Sequence, residues 1–189
     1  MNNKKYIIFD LDGTLIDSFP TVINACKRVF VDNHVTRLPK DIYYEKYCAN
    51  NMEELFKSLA QIAGLTSESF RFAYDKAYAK DFISGTKPIT KQYKKLLAAK
   101  KEGLGVIVLT NKLQAIAEEV CNHFFSDGEI DIVIGRENAK PIKPKQVLVE
   151  RFHAHNIEPQ IQCLKYYGDS EVDYKSAKLL KVPYIKVYK

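Results

Sequence analysis

Long apolar runs are absent from this sequence of 189 residues, and no run approaches the length of a transmembrane helix. Near the start, Lys4 and Lys5 precede a short apolar stretch at 6–9, but acidic residues follow at once. A secretory signal peptide needs a longer apolar region before its cleavage site. The sequence therefore predicts neither membrane insertion nor a signal peptide.

Cysteine is scarce, and its spacing is not that of a metal cluster. The four cysteines are far apart and form neither a CxxC pair nor a Cys/His pattern (Cys26, Cys48, Cys121 and Cys163). Three of them fall among apolar residues of helical or strand-like segments, where we expect buried thiols. Free buried thiols are typical of a reducing compartment, so the sequence favours a cytoplasmic protein.

Clusters of basic residues are also missing, although the formal net charge is +6. The lysines are scattered along the chain, and it has no arginine-rich arm, zinc finger or helix-turn-helix pattern. We therefore do not expect nucleic-acid binding. A small anionic substrate remains compatible with the positive charge.

Hydrophobic residues make up 46% of the chain, which is enough for a core. Apolar residues recur at helical spacing from 17 to 85, and no strand pattern interrupts them. From residue 88 onward, short apolar runs alternate with helical patterns, which predicts a parallel sheet with helices on both faces. We therefore expect a Rossmann-like α/β core formed by 1–16 and 86–189, with 17–85 as an inserted helical subdomain.

The periodicity also predicts where the elements lie. In the helical subdomain we expect a first helix capped by Asp17 or Ser18, followed by helices at 41–48, 52–64 and 67–82. The expected strands are 6–9, 104–109, 131–134, 163–167 and 184–188, and the later helices are 91–101, 113–124, 146–155 and 173–180. Ligands of such sheets bind at the carboxyl ends of the strands. The residues that follow each strand are therefore the candidates for a functional site.

Two aspartates follow the first strand. Asp10 and Asp12 are two positions apart, and side chains alternate along a strand, so both carboxylates should point to the same side. Two carboxylates beside a hydrophobic sheet repel each other unless a cation or a proton lies between them. Mg²⁺ suits this position, because it binds through few carboxylates together with water and substrate phosphate. On these residues alone, a simple turn at Asp12 is the alternative.

Polar groups also follow the other expected central strands. Thr110, Asn111 and Lys112 come after the second strand, two Lys-Pro pairs lie within 140–144, and the run GDSEVD occupies 168–173. Taken singly, these groups are typical of a helix cap, a loop and a turn. Together, at the ends of neighbouring strands, they favour a site for phosphate and Mg²⁺.

These motifs, in this order, resemble the haloacid dehalogenase-like hydrolase superfamily over essentially the whole chain. DLDGT at 10–14 resembles the first motif of the superfamily, Thr110 and Asn111 the second, Lys143 the third, and 168–173 the fourth. The helical block at 17–85 resembles the small cap that is inserted after the first motif. Within the superfamily, the sequence around these motifs is most similar to phosphoglycolate phosphatases and their close relatives.

The resemblance implies a Mg²⁺-dependent phosphatase of a small phosphorylated metabolite. Asp10 would be the nucleophile that forms an aspartyl-phosphate, and Asp12 the general acid and base. The metal site would comprise Asp10, the backbone carbonyl of Asp12, and Asp169, while Asp173 would hold the metal's waters or the motif lysine. The second aspartate of the first motif is absent from the dehalogenases of this superfamily, so Asp12 favours phosphoryl transfer.

The resemblance also implies which residues bind the phosphoryl group. Thr110 and the Asn111 amide would bind its oxygens, and a lysine would offset their charge. Lys143 lies 25 positions before Gly168, an interval close to that of the family, but Lys140 also precedes a proline and is the alternative. Lys112 either contacts a carboxylate of the substrate or is a solvated lysine in the first turn of a helix.

Substrate choice is expected to depend on the cap. The segment 47–51 resembles the cap loop that faces the catalytic centre, where relatives often carry a glycine that this chain lacks. Lys46, Asn50 and Asn51 are the candidate substrate contacts there. A polar break between two helices would have the same sequence.

Two other functions remain compatible with the motifs. A sugar phosphomutase would share all of them, and a receiver-like signalling module also uses an aspartate, a threonine and a lysine at strand ends. Receivers, however, do not normally carry the phosphorylated aspartate after the first strand. We expect a monomer, or a homodimer in which the partner covers the edge of the sheet near the last strand.

Overall fold

Helices and strands of the computed structural model alternate along most of the residues it describes, which are 4–36, 39–40, 52–138 and 140–188. In chain order the elements are β1 (Tyr6–Phe9), β2 (Ile16–Asp17), α1 (Phe19–Asp32), α2 (Met52–Ile62), α3 (Ser67–Lys80), β3 (Lys87–Pro88), α4 (Thr90–Lys101), β4 (Gly105–Leu113), α5 (Gln114–Phe124), β5 (Ile132–Arg136), α6 (Val147–Ala154), α7 (Pro159–Gln162), β6 (Cys163–Gly168), α8 (Glu171–Leu180) and β7 (Tyr184–Lys186). The chain divides into two compact units, one of Met1–Asp17 with Pro88–Lys189 and one of Ser18–Lys87.

β1 is the central strand of a five-stranded parallel sheet in the order β5-β4-β1-β6-β7. It pairs with β4 on one side and with β6 on the other, and all of its residues are buried. In this Rossmann-type order the sheet extends one way from β1 through β4 and the other way through β6. The carboxyl ends of β1 and β6 therefore form the topological switch point where open α/β sheets bind ligands. The expected α/β fold with a parallel sheet is confirmed.

Alternating side chains of the sheet supply both faces of its core. On one face, Ile8 and Tyr166 of the sheet pack with residues of α6 and α8, among them Phe152 and Leu180. On the other side, α4 and α5 pack against β4. Burial on both faces explains why β1 and the first part of β4 are continuous apolar runs rather than alternating ones.

The Ser18–Lys87 unit has an aromatic core of its own. The ring of Phe70 lies 6.0 Å from that of Phe30 and 5.8 Å from that of Phe56, which also packs 4.7 Å from Tyr74. Thr66 caps α3, because its side-chain oxygen accepts a hydrogen bond from the Ser69 N–H at 3.1 Å. These contacts join α1, α2 and α3 through their apolar stripes.

Several expected boundaries differ from the structure. Ser18 occupies the N-cap position of α1, but its side chain makes no capping hydrogen bond. β4 continues to Leu113, where a helix was expected to begin, because Leu113 still pairs with Arg136 of β5. β2 and β3, which form a separate two-stranded sheet, and the short helix α7 were not expected from periodicity, since each has four residues or fewer.

The expected helix at 41–48 lies outside the described residues. Among the helices described, none combines the length and the apolar character that a bilayer crossing requires.

Candidate active site

The carboxyl ends of β1 and β6 bring the first and last acidic motifs together. Asp10 follows β1 directly, and its N–H donates to the carbonyl of Tyr167 in β6 at 2.8 Å. Gly13, in the turn after β1, has a positive φ of 83°, and a Cβ at this position would collide with the carboxylate of Asp169. The side chain of Asp169 therefore lies directly over the turn of the first motif.

Three carboxylates converge at this point. Asp10, Asp169 and Asp173 each offer an oxygen, and these oxygens lie within 4.8 Å of one another. Asp10 and Asp173 are buried, whereas Asp169 is half-buried. Carboxylate oxygens this close together could hold a hard cation such as Mg²⁺, which prefers oxygen ligands.

Asp173 is held by hydrogen bonds on both of its oxygens. Oδ1 accepts from Lys143 Nζ at 2.6 Å and from the Tyr166 hydroxyl at 2.9 Å. Oδ2 accepts from the Ser170 N–H at 3.1 Å and the Ser170 hydroxyl at 2.5 Å, which completes a capping box at the start of α8. A carboxylate has about four lone-pair sites, and here all four are engaged. This arrangement favours Asp173 as the residue that holds the lysine.

Lys143 contacts two of the three carboxylates, those of Asp10 and Asp173. Its Nζ donates to Asp10 Oδ1 and Asp173 Oδ1, both at 2.6 Å, and to the carbonyl of Leu109 at 3.2 Å. The residue is 5% exposed, whereas Lys140 is exposed to solvent. The structure thus places Lys143, and not Lys140, beside the carboxylates.

Burial and mutual charge set the protonation of these groups. Burial raises the pKa of Asp10 well above its usual range, as does the charge of Asp173, and Lys143 only partly opposes them. Burial also acts to raise the pKa of Asp173, but hydrogen bonds and charge from Lys143, Ser170 and Tyr166 outweigh it and lower that pKa. For Lys143, burial acts to lower the pKa, but Asp10 and Asp173 outweigh it, so the pKa is raised and the ammonium stays charged.

A divalent cation fits this donor set. Lys143 pairs with Asp10 and Asp173, and Asp169 brings a third carboxylate close to theirs, so that carboxylates outnumber the ammonium group at this point. Burial is the main reason why the pKa of Asp10 is raised, and the charges of Asp173 and Asp169 add to its effect. A bound divalent cation relieves such an excess, and oxygen ligands are those that Mg²⁺ prefers.

The second motif lies in β4, next to β1. Thr110 is buried, and its hydroxyl oxygen accepts a hydrogen bond from the Lys112 N–H at 3.1 Å. The side chain of Asn111 faces the loop that carries Lys143, here called the lysine loop. Its Oδ1 accepts hydrogen bonds from the N–H groups of Ile142 at 3.0 Å and Lys143 at 2.9 Å. The side-chain amide of Asn111 therefore fixes the backbone that carries the buried lysine.

Asp12 and Lys112 form an ion pair. Lys112 Nζ lies 3.1 Å from Asp12 Oδ1, and the lysine side chain is 8% exposed against 34% for the aspartate. Lys112 belongs to β4 and not to the first turn of α5, so the expectation of a solvated helix lysine does not hold. The carboxylate of Asp12 points to Lys112 rather than into the group of three carboxylates found among the described residues.

Two further residues of the site were missed from the sequence. Arg136, at the end of β5, donates to the carbonyls of Asn111 and Asn138, and Tyr166 binds Asp173. The expected strand stopped at Ile134; two more residues would have placed Arg136 on the same face as Ile134, toward the core. Tyr166 carried a weaker signal, because a tyrosine in a buried strand is usually a packing residue.

Three candidate substrate contacts cannot be placed, because Lys46, Asn50 and Asn51 lie outside the described residues.

Comparison with known proteins gives a family match over nearly the whole chain. The family model described as haloacid dehalogenase-like hydrolase matches residues 7–187. The phosphoglycolate phosphatase of Aquifex aeolicus is 24% identical over 181 residues, which cover 92% of this chain and 80% of that protein. The phosphoglycolate phosphatase of Neisseria meningitidis is 25% identical over 183 residues, which cover 91% of this chain and 75% of that protein.

Solved structures share the fold. A hydrolase of the haloacid dehalogenase-like family from Streptococcus pneumoniae superposes with a TM-score of 0.76 at 21% identity. The match covers 100% of this chain and 86% of that one. The parallel sheet and its flanking helices are therefore an arrangement that known proteins also adopt.

Proposed function

Because this chain belongs to the haloacid dehalogenase-like hydrolase family, we propose that it is a phosphatase that uses Mg²⁺ and Asp10 to hydrolyse a small phosphorylated metabolite. The observation that carries the proposal is the cluster of three carboxylates around Lys143. Lys143 donates to both Asp10 and Asp173, and an oxygen of Asp169 lies within 4.8 Å of theirs. The convergence of three carboxylates at the switch point of the sheet supports a metal-assisted phosphoryl site.

The proposed reaction has two steps. First, a carboxylate oxygen of Asp10 attacks phosphorus, the bond to the substrate oxygen breaks, and Asp12 gives that oxygen a proton. Then Asp12 takes a proton from water, the resulting hydroxide attacks the phosphorus of the aspartyl-phosphate, and inorganic phosphate leaves Asp10 free. Positioned acid–base groups of this kind are typically worth about 10²- to 10⁴-fold in rate.

The other site residues bind and orient the phosphoryl group in this proposal. Asp10 and Asp169, together with the backbone carbonyl of Asp12, would hold Mg²⁺, which when bound supplies positive charge against the phosphoryl oxygens. Thr110, the backbone amide of Asn111 and Lys143 would bind those oxygens. In this assignment the hydrogen bonds to Asp173 keep Lys143 in place.

The relatives suggest a substrate class. Both relatives described above are phosphoglycolate phosphatases, so 2-phosphoglycolate is the first candidate for this chain. Lys112, at the end of β4 beside Asp12, is the candidate contact for a carboxylate of such a substrate. At about 24 to 25% identity, the cap residues that select the substrate can differ, so the class is tested by a screen.

The location of the protein is part of the proposal. Cys26, Cys121 and Cys163 are buried free thiols, which is typical of proteins in a reducing cytoplasm. Burial raises the pKa of both Cys121 and Cys163 to about 12, so these thiols stay protonated and unreactive.

The test of the nucleophile is Asp10→Asn. Asparagine has nearly the same shape as aspartate and can still accept the hydrogen bond from Lys143, so the fold should be kept. We expect hydrolysis of p-nitrophenyl phosphate with Mg²⁺ to fall by at least about 10³-fold. Asp127→Asn, an exposed position, is the matched control and should retain full activity. Full activity in Asp10→Asn would refute the assignment.

A Mg²⁺-dependent screen then separates the possible functions. It compares 2-phosphoglycolate, sugar phosphates, nucleotides and pyrophosphate by release of inorganic phosphate. Turnover that depends on a sugar bisphosphate would identify a phosphomutase instead. A lasting aspartyl-phosphate without turnover would identify a signalling module, although receivers of the flavodoxin-like type place the second and third strands beside the first, unlike the order found here.

A further inference from the structure

Arg136 is one of the largest fully buried side chains of the described structure. The residue is 2% exposed, and its guanidinium donates to backbone carbonyls: Nε to Asn111 at 2.8 Å and Nη1 to Asn138 at 2.6 Å. Burying a charged group is costly unless its donors are hydrogen-bonded. Burial of the Arg136 guanidinium therefore costs free energy, and an apolar side chain could fill the same space without that cost.

The reason for its position lies in the pairing of β4 with β5. Leu109 pairs with Ile134, and Leu113 pairs with Arg136. Between these two pairs β4 advances by four residues, whereas β5 advances by only two. The extra residues of this bulge are in the segment of Thr110 and Asn111. Bulges interrupt the ladder and re-aim side chains, often beside active sites. The side chain of Arg136 supplies a hydrogen bond to the bulged segment.

Gly135 shows how closely the bulge approaches β5. A Cβ at this position would lie 2.8 Å from the carbonyl oxygen of Lys112 and 2.9 Å from the Cα of Gln114. In β5, Gly135 lies where the backbone of Lys112 and Gln114 approaches most closely, and Arg136 donates a hydrogen bond to the carbonyl of Asn111 in the bulge. Both features support the same local backbone shape.

The hydrogen bonds continue from the bulge to the lysine loop. Asn111, whose carbonyl binds Arg136, uses its Oδ1 to hold the N–H groups of Ile142 and Lys143. The second bond from Arg136 holds Asn138, where the loop toward Lys143 begins. The guanidinium therefore restrains the bulge directly, and the side chain of Asn111 extends this restraint to the backbone of Lys143.

We propose that Arg136 is a positioning residue, which sets the relative placement of the Thr110–Asn111 bulge and the Lys143 loop. Its effect on catalysis rests on the proposed function, whereas its effect on the backbone does not. The planar fork of arginine donates in two fixed directions, and a lysine ammonium has no such fork, so Arg136→Lys keeps the charge but not the geometry. A displacement of about 1 Å in a positioning group can cost about 10²-fold in rate.

The first measurement is amide hydrogen exchange of Ile142 and Lys143 by NMR, which needs no activity. In Arg136→Met and Arg136→Lys we expect both amides to exchange faster than in the wild type, while amides in the centre of β1 keep their protection. Arg151→Met is the matched control, since Arg151 contacts Glu137 and Gln114 beside the same loop but neither Asn111 nor Asn138. It should leave the two amides unchanged. Unchanged exchange in both Arg136 variants would overturn the proposal.

The second measurement separates positioning from a merely structural role. Well below the unfolding temperature, we expect Arg136→Met to lower kcat/KM by about 10²-fold, and to weaken inhibition by inorganic phosphate. Millimolar guanidinium should partly restore the activity of Arg136→Met but not that of Asp10→Asn. Activity that falls only with the unfolded fraction would overturn the role in phosphate positioning. A wild type without phosphatase activity would instead refute the proposed function, and the exchange result would still decide whether Arg136 holds the loop.

Discussion

Gly13 lies in the turn of the first motif, at the point where the site has least room for a side chain. Its φ of 83° is a left-handed conformation that glycine adopts at little cost, and the Asp169 carboxylate occupies the space of a Cβ. A side chain at this position would therefore disturb both the turn after β1 and a candidate metal ligand.

We predict that Gly13→Ala destabilises the protein by about 1–2 kcal/mol through backbone strain, and that it also displaces Asp169. Mg²⁺-dependent hydrolysis should fall by about 10²-fold. Thermal unfolding measures the first effect, and steady-state kinetics of the folded variant measures the second.

Gly128→Ala is the control for the strain alone. Gly128 has nearly the same φ, 78°, but nothing lies within 4 Å of a Cβ built there. This variant should lose comparable stability and keep its activity. If both alanine variants lost the same activity, or Gly13→Ala lost none, the contact with Asp169 would have no functional weight.

Among the elements, β1 and β6 could be predicted from the sequence because their physical signal is local. For β1, a short apolar run bounded by lysines and an acidic motif indicates a buried strand, and Tyr6–Phe9 is buried throughout. β6, at Cys163–Gly168, is only partly buried, and the acidic motif that follows it marks its end. The acidic motifs after them met because parallel strands align their carboxyl ends. The convergence of Asp10 with Asp169 was therefore predictable from the sequence.

The bulge in β4 could not be predicted in the same way. Its cause is the pairing of Leu109 and Leu113 with residues of β5 that are far away in the sequence. Apolar residues at helical spacing from Leu113 onward predicted a helix, and the strand extended to that residue because tertiary pairing outweighed local periodicity. Arg136 was missed for the same reason, since its role follows from the bulge.

Asp131 forms hydrogen bonds with the start of β4, with α4 and with the segment before β1. Its Oδ2 accepts from the Val106 N–H and from Lys100 Nζ, both at 2.7 Å, and its Oδ1 accepts from Lys4 Nζ at 2.6 Å. Partial burial by itself raises the pKa of Asp131, but hydrogen bonds from Lys100, Lys4 and Val106 outweigh it and leave the pKa below its ordinary value.

We predict that Asp131→Asn lowers the free energy of unfolding by about 1 kcal/mol at pH 7, because the two lysines lose a charged acceptor. A lowered folded-state pKa stabilises the protein above the unfolded-state value of about 3.9, and the contribution disappears as pH falls through the folded-state value. The difference between wild type and variant in urea unfolding should therefore be constant from pH 7 to about 5 and shrink below about 4.

Asp127→Asn controls for the loss of one negative charge, because Asp127 is exposed in the same loop region before β5. It should unfold like the wild type at every pH. A difference between Asp131→Asn and wild type that grows on acidification would show that the ion pairs are not its source.

In the whole molecule, each of the two units has a core of its own. The Ser18–Lys87 unit packs aromatic rings between helices, whereas the other unit packs its core between a sheet and helices. The change from helical to alternating periodicity near residue 86 predicts an inserted helical subdomain, and its role as a cap stays a prediction. The sequence cannot tell whether Lys46, Asn50 and Asn51 contact a substrate, because a polar loop gives the same pattern with or without a ligand.

Under the proposed function, Mg²⁺ binding at Asp10 and Asp169 should stabilise the folded chain. The carboxylates of Asp10, Asp169 and Asp173 lie close together, and a cation that binds only the folded state stabilises it by mass action. At a concentration about 100 times its dissociation constant, the expected gain is about 2.7 kcal/mol. Thermal unfolding with and without MgCl₂, at ionic strength matched with KCl, measures this gain.

We predict that Mg²⁺ reverses the order of stability of the wild type and the Asp169→Asn variant. Without Mg²⁺ the variant should be at least as stable as the wild type, because Asp169 adds to the charge that raises the pKa of Asp10. With Mg²⁺ the wild type should become the more stable protein, since the variant lacks a ligand, while Asp127→Asn responds to Mg²⁺ like the wild type. If Mg²⁺ raised the unfolding temperature of Asp169→Asn as much as that of the wild type, the cation would bind elsewhere, and the three converging carboxylates would be a pH-dependent ion-pair network without a metal.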